Sequence, residues 1–104
     1  MKAEALKGHL DAMILAVVGG GPAHGYAVIE QLRQRSGGVF DLPEGTVYPA
    51  LHRLEAEGLL ASAWETASGR RRRVYKLTRR GRSTLGERRG DWHTFSQAVE
   101  GVLA

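Results

Sequence analysis

The sequence predicts a mostly α-helical fold with one small β-hairpin, and three observations carry that prediction. Three stretches with apolar residues at helical spacing fill the first 58 residues, each closed by glycine. Two short β-prone runs follow, flanking the turn residues Ala67-Ser68-Gly69. Behind Thr78, a plausible N-cap, the chain returns to helical spacing.

In the first helix Leu6, Leu10, Met13, Ile14 and Val17 recur on one face, and Gly19-Gly20-Gly21-Pro22 stops it. The second starts at Ala23-His24-Gly25, repeats Tyr26, Ile29 and Leu32 at i, i+3 and i+6, and ends at Ser36-Gly37-Gly38. A turn over residues 41–45 leads to the third, where Val47, Leu51 and Leu54 sit at i, i+4 and i+7 until Gly58. Pro49 lies inside this helix, so either the regular helix begins near Gly45 and Pro49 stays close to its first turn, or the helix kinks. Residues 59–65 then place Leu60, Ser62 and Trp64 on one face of a strand, and residues 71–77 supply Val74 and Tyr75 as strand formers. In the final helix Leu85, Trp92 and Val99 stand seven apart, with Phe95 and Val102 three after the last two. Gly81, Gly86 and Gly90 lower its propensity, and a bend at its start or middle is expected.

The order helix, helix, helix, hairpin, helix is that of a winged helix-turn-helix with an appended C-terminal helix. With 104 residues and no composition shift, the chain divides into a winged-helix unit over residues 1–77 and a C-terminal helix over 78–104. Absence of cysteine excludes disulfides and thiolate metal sites. Met1, Lys2 and Lys7 before the apolar run 12–18 loosely imitate a signal peptide, but Glu4 and Asp11 interrupt the basic region and the run is too short. No stretch approaches the roughly 20 apolar residues of a membrane span, so a soluble, cytoplasmic protein without a membrane partner is expected.

Charge is unevenly distributed. The net is +4, yet residues 1–68 hold five Lys/Arg against eight Asp/Glu, whereas residues 69–89 hold ten Lys/Arg against Glu87 alone. Four consecutive arginines, Arg70 to Arg73, sit at the hairpin tip, where a winged helix touches DNA. Strand alternation sends Arg71 and Arg73 to one face and Arg70 and Arg72 to the other. Burying Val47, Leu51 and Leu54 turns Gly45, Thr46, Tyr48, Pro49, His52 and Arg53 outward as a candidate reading face. Arg53 can donate two hydrogen bonds to guanine, His52 and Thr46 can contact bases or phosphates, and Tyr48 can stack on sugar. The plainer alternatives are a half-buried packing role for Tyr48 and a surface histidine at His52. His24, Gly25 and Tyr26 can offer backbone N–H groups to a phosphate at a helix start, although His24 is equally read as a simple cap.

Five motifs carry a family resemblance: Leu6-Lys7-Gly8-His9-Leu10-Asp11, Gly21-Pro22-Ala23-His24-Gly25-Tyr26, Gly45-Thr46-Val47-Tyr48-Pro49-Ala50-Leu51-His52-Arg53-Leu54-Glu55, Glu57-Gly58-Leu59-Leu60 and Arg73-Val74-Tyr75-Lys76-Leu77-Thr78. In order and spacing they resemble the PadR family. The resemblance implies a homodimeric repressor whose third helix and wing bind a palindromic operator in double-stranded DNA, with the last helix making the dimer. It also implies a small aromatic effector at the dimer centre, where Trp92 and Phe95 can line a site, although aromatics at this spacing more often form plain interface core.

Independently of the resemblance, the stripe Leu85, Trp92, Phe95, Val99 and Val102 exceeds what one small domain readily covers, and a partner helix would cover it. The other possibility is a helix folded back on its own domain. Two-fold symmetry would set two third helices about 34 Å apart on DNA. An enzyme is not expected: the glycines at 19–21 match neither phosphate-binding motif, no nucleophile elbow occurs, and the four histidines form no metal-ligand pattern. No cofactor is implied. A rival non-enzymatic reading keeps the fold but binds protein or RNA without operator specificity.

Overall fold

The computed structural model describes residue 6 and residues 8–104; Lys2, Glu4 and the Lys7 of the first motif lie outside them. The described elements run α1 (Leu10–Gly19), β1 (Ala23–His24), α2 (Gly25–Arg35), α3 (Glu44–Ala56), β2 (Leu60–Ala67), β3 (Arg70–Leu77) and α4 (Arg79–Leu103). The fold is the expected winged helix-turn-helix with a C-terminal helix, but its sheet has three strands in the order β1-β3-β2, all antiparallel.

The third strand is a correction. Ala23-His24, read from sequence as the start of the second helix, pairs with β3, Ala23 opposite Tyr75 and His24 opposite Val74. Two residues carry no alternation signal, and their partners lie some fifty positions on, so the pairing is invisible locally. A second correction concerns Tyr26, expected in the core but 63% exposed. Helix α2 is rotated so that Gly25, Val28 and Leu32, at i, i+3 and i+7, face inward, with Ile29 partly buried. Helix α1 runs from Leu10; Leu6, itself helical, is set off from it by a turn at Gly8 and His9 in which Gly8 adopts φ +93°.

Pro43 opens α3, its carbonyl accepting from the N–H groups of Thr46 and Val47 at 3.0 and 3.2 Å. Pro49 stands in the second turn of a helix that runs unbroken to Ala56. Its missing N–H removes the helical donor for the Gly45 carbonyl, and Gly45 is exposed, so water can replace it. Gly58 closes the helix as expected: at φ +79° it lets Leu59 N–H reach the Leu54 carbonyl and its own N–H reach that of Glu55.

Strands β2 and β3 pair residue for residue from Leu60–Leu77 to Ala67–Arg70. The connecting Ser68 and Gly69 both have positive φ, 52° and 75°, the type I′ geometry whose twist matches the flanking strands. The hairpin buries Leu60, Tyr75 and Leu77 in a core with Ile14, Leu15, Val28, Val47, Leu51 and Leu54.

Thr78 caps α4, its hydroxyl accepting from Gly81 N–H at 2.9 Å and donating to the Gly58 carbonyl at 2.6 Å. The 25-residue helix spans about 37 Å without a break, so its glycines do not interrupt it. Gly81 serves another purpose, since a Cβ there would overlap the Leu59 carbonyl. Leu85, assigned from sequence to a dimer interface, is instead 4% exposed and packs in the domain's own core near Gly19 and Leu77.

Two helix glycines therefore respond oppositely to alanine. Gly81→Ala should destabilise the protein by about 1–3 kcal/mol through overpacking. Gly86→Ala, whose Cβ meets nothing within 4 Å, should stabilise it by about 0.5–1 kcal/mol. Urea unfolding of both variants checks the sign; equal effects would contradict the packing assigned to Gly81.

Candidate nucleic-acid interface

A groove of about 470 Å³ runs between α3 and the hairpin, and it gathers most of the candidate residues: His24, Tyr26, Tyr48, His52 and all four of Arg70 to Arg73, with Trp64 and the edge of Tyr75. From α3 the buried Val47, Ala50, Leu51 and Leu54 leave Gly45, Pro49, His52 and Arg53 exposed and Thr46 and Tyr48 half-buried.

Tyr48 follows the packing alternative. Its ring rests on Gly25, where a Cβ would stand 2.5 Å from two of its ring atoms, and it meets the Tyr26 ring edge-on at 6.3 Å. Glycine at 25 is thus required for α3 to approach the start of α2. Burial pushes the Tyr48 hydroxyl above its ordinary pKa, and the Glu44 carboxylate beside it raises that of Tyr26.

His24 is the cap of α2. Its Nδ1 accepts from Ala27 N–H at 3.2 Å, while its Nε2 lies 2.7 Å from a guanidinium nitrogen of Arg72. A neutral imidazole has one lone pair, so capping Ala27 and accepting from Arg72 are alternatives. Partial burial, and then the nearby Arg72 charge, hold the ring below its ordinary pKa.

The wing arginines differ in what holds them. Strand register puts Arg73 opposite Trp64 and Arg71 opposite Thr66 on one face, with Arg72 opposite Glu65 and Arg70 opposite Ala67 on the other. Arg73 donates from Nε to the Ser62 hydroxyl at 2.7 Å and stands 3.6 Å from Glu55. Ser62 in turn donates to Glu55 at 2.6 Å, and this bond, with Arg73 close by, lowers the Glu55 pKa. Arg73 therefore ties the wing to α3. Arg71 lies over the Trp64 ring at 4.9 Å, and Arg70 has no ion-pair partner among the described residues.

Arg53, read from sequence as free to grip a guanine, is not brought into the groove. It forms a two-pronged pair with Asp11 of α1 at 2.6 and 2.8 Å and lies 3.6 Å from Glu57. Those carboxylates, Asp11 first, raise its pKa. Its pairing partner is 42 residues away, which no local pattern reveals.

Sequence reasoning missed Glu55 and Ser62 as links and Trp64 as an arginine partner. The turn held the signal. A two-residue loop at Ser68-Gly69 pairs 67 with 70, hence 64 with 73 and 66 with 71.

Away from this groove, Trp92, Phe95, Val99 and Val102 are 53, 58, 37 and 86% exposed, joined by Leu103, which the stripe did not include. A second groove of about 860 Å³ separates α1 from α4, with Met13, Ala16 and Phe40 facing Trp92 and Phe95. His9 meets Trp92 edge-on at 5.1 Å.

A family profile described as "Transcriptional regulator PadR-like family" matches residues 14–87. Transcriptional regulator Rv3488 of Mycobacterium tuberculosis is 40% identical over 78 residues, covering 75% of this chain and 70% of its own. Among solved structures, a PadR family transcription regulator from Clostridium difficile is 31% identical with TM-score 0.84, over 93% of this chain and 100% of that one. Bacillus subtilis PadR in complex with operator DNA shares the fold at 22% identity and TM-score 0.70, over 76% of this chain and 45% of that one. The winged-helix order, the arginine-lined groove and these likenesses agree, and this chain belongs to the PadR-like family of transcriptional regulators, which are DNA-binding proteins and not enzymes.

Proposed function

We propose that the chain is a homodimeric repressor that binds a palindromic operator through α3 and the wing, and that a small aromatic effector beside Trp92 and Phe95 releases it. The observation that carries this reading is the convergence of Arg70 to Arg73 with His52 and the N-terminus of α2 on one groove. Guanidinium groups along a groove edge suit the closely spaced phosphates of a duplex, and helix N-termini favour phosphate. The operator-bound Bacillus subtilis relative supports duplex DNA as the polyanion.

His52 within the groove and Thr46 and Pro49 beside it on α3 face the DNA major groove, and Arg70 to Arg72 follow the backbone or an adjacent minor groove. The α2 start, with His24, Gly25 and Tyr26, receives a phosphate. Arg53 joins only by releasing Asp11.

The exposed face of α4 supports the dimer, because beyond Leu85 Trp92, Phe95 and Val102 are each more than half exposed and Val99 more than a third. A second copy packing Trp92, Phe95, Val99 and Val102 against their equivalents covers it and places two reading helices on successive major grooves. The groove between α1 and α4, mostly apolar and aromatic but also lined by Arg88, Arg89 and Asp91, suits a flat aromatic guest that carries a polar group. Repression follows from occupying promoter DNA, which needs only a DNA face and a dimer face. No helix among the described residues is long and apolar enough to cross a membrane, and the proposed site of action is the cytoplasm.

Fluorescence anisotropy on the DNA upstream of its own gene and on a shuffled duplex, over a range of salt, tests the reading. Tight, salt-sensitive preference for the upstream DNA is expected; weak, equal binding to both contradicts operator recognition and favours a protein or RNA partner. Arg71→Ala should weaken binding to both duplexes alike and flatten the salt slope by about one unit. Phe95→Glu should yield a monomer by analytical ultracentrifugation and lose the upstream preference. An unchanged dimer would place the interface elsewhere. For the effector, a Trp64→Phe variant leaves Trp92 as the sole tryptophan, and its emission should be quenched by some members of an aromatic panel.

A further inference from the structure

Trp64 is an unusual residue to find 55% exposed in the middle of a strand, and it stands among the wing cations. The Arg71 guanidinium carbon lies 4.9 Å from the centre of its ring and that of Arg73 lies 5.5 Å away. The two arginines depend on it differently. Arg73 sits directly opposite Trp64 in the ladder but is already fixed by the Ser62 hydroxyl and by Glu55. Arg71 is the diagonal neighbour, opposite Thr66, and has no carboxylate within salt-bridge distance among the described residues.

We propose that Trp64 is a positioning residue for DNA binding, its indole face holding Arg71 extended along the groove edge so that the guanidinium meets a phosphate preformed. The inference rests on the DNA-binding reading and adds to it which residue sets the geometry of the wing. An indole is suited to the task where a carboxylate is not. It attracts the cation through its ring quadrupole and restrains a long side chain, yet it neutralises no charge. The five N–H donors of the guanidinium point outward in its own plane and remain free for a phosphate fork. Glu55 performs the opposite service for Arg73: it fixes that side chain and also cancels much of its charge. The wing thus holds one arginine as a structural tie and one as a poised ligand.

A double-mutant cycle on duplex DNA tests the proposal, with Kd measured for the unmodified protein, Trp64→Leu, Arg71→Ala and the double variant at several salt concentrations. Trp64→Leu keeps apolar bulk but removes the quadrupole, and it should weaken Kd roughly two- to fivefold, the range of an exposed cation–π contact. Trp64→Phe should restore most of that loss. In the Arg71→Ala background Trp64→Leu should change nothing, because the side chain it positions is gone. Equal weakening by Trp64→Leu with and without Arg71 would overturn the proposal, as would no effect in the parent. Thermal unfolding of each variant identifies a collapsed wing. Absence of binding by the unmodified protein to either duplex would remove the DNA-binding reading itself, whereas normal parental binding with an additive cycle removes only the role of Trp64.

Discussion

Burial of Tyr75 and Leu77 on one face of β3 dictates where every arginine of the wing can stand. Side chains alternate along a strand, so with Tyr75 1% exposed and Leu77 8% exposed against the helices, Arg73 and Arg71 must follow on that same side as the strand leaves the core. Arg72 and Arg70 are then committed to the other side. A slip of one residue would exchange the two pairs and pull Val74 and Lys76 into the core, which the burial of an unpaired ammonium forbids. The type I′ turn at Ser68-Gly69 fixes the same register from the far end. Core packing and turn chemistry thus agree on one placement of the charge.

From that register the electrostatics of the groove follow. Arg73 arrives beside α3, where Glu55 and Ser62 hold it and couple the wing to the reading helix. Arg72 arrives beside β1, where His24 also caps α2, and so the short third strand brings the start of α2 to the groove. Partly exposed polar contacts such as the Arg73–Glu55 ion pair and the Arg72–His24 hydrogen bond each contribute little to stability, about 0.2–1 kcal/mol. Their consequence is geometric, since they leave the cations nearest the tip available while fixing those nearest the core. The apolar face of α4 lies apart from this charge, which separates the surface proposed for DNA from the surface proposed for a second copy.

Much of this was legible in the sequence because it depends on local periodicity. Val47, Leu51 and Leu54 announced α3 and its outward face, Thr78 announced the cap of α4, and the arginine run announced the wing. What escaped depends on partners distant along the chain. Ala23-His24 becomes a strand only because β3 offers it an edge, and Tyr26 turns outward because α2 must present Gly25 to Tyr48. Arg53 looked free until α1 brought Asp11 across 42 residues. Leu85 fitted the heptad of the last helix, yet the first turns of α4 lie on the domain and bury it, while Trp92 and the residues beyond extend past the core. A heptad alone does not say where a helix leaves its own domain.

Hydroxyl-radical footprinting of the protein on the DNA upstream of its own gene tests whether one wing–α3 unit, repeated by a two-fold axis, grips duplex DNA. Two protected patches related by a dyad and centred about one helical turn, roughly 34 Å, apart are expected. A single unsymmetrical patch, or protection spread evenly along the duplex, would contradict that two-fold grip.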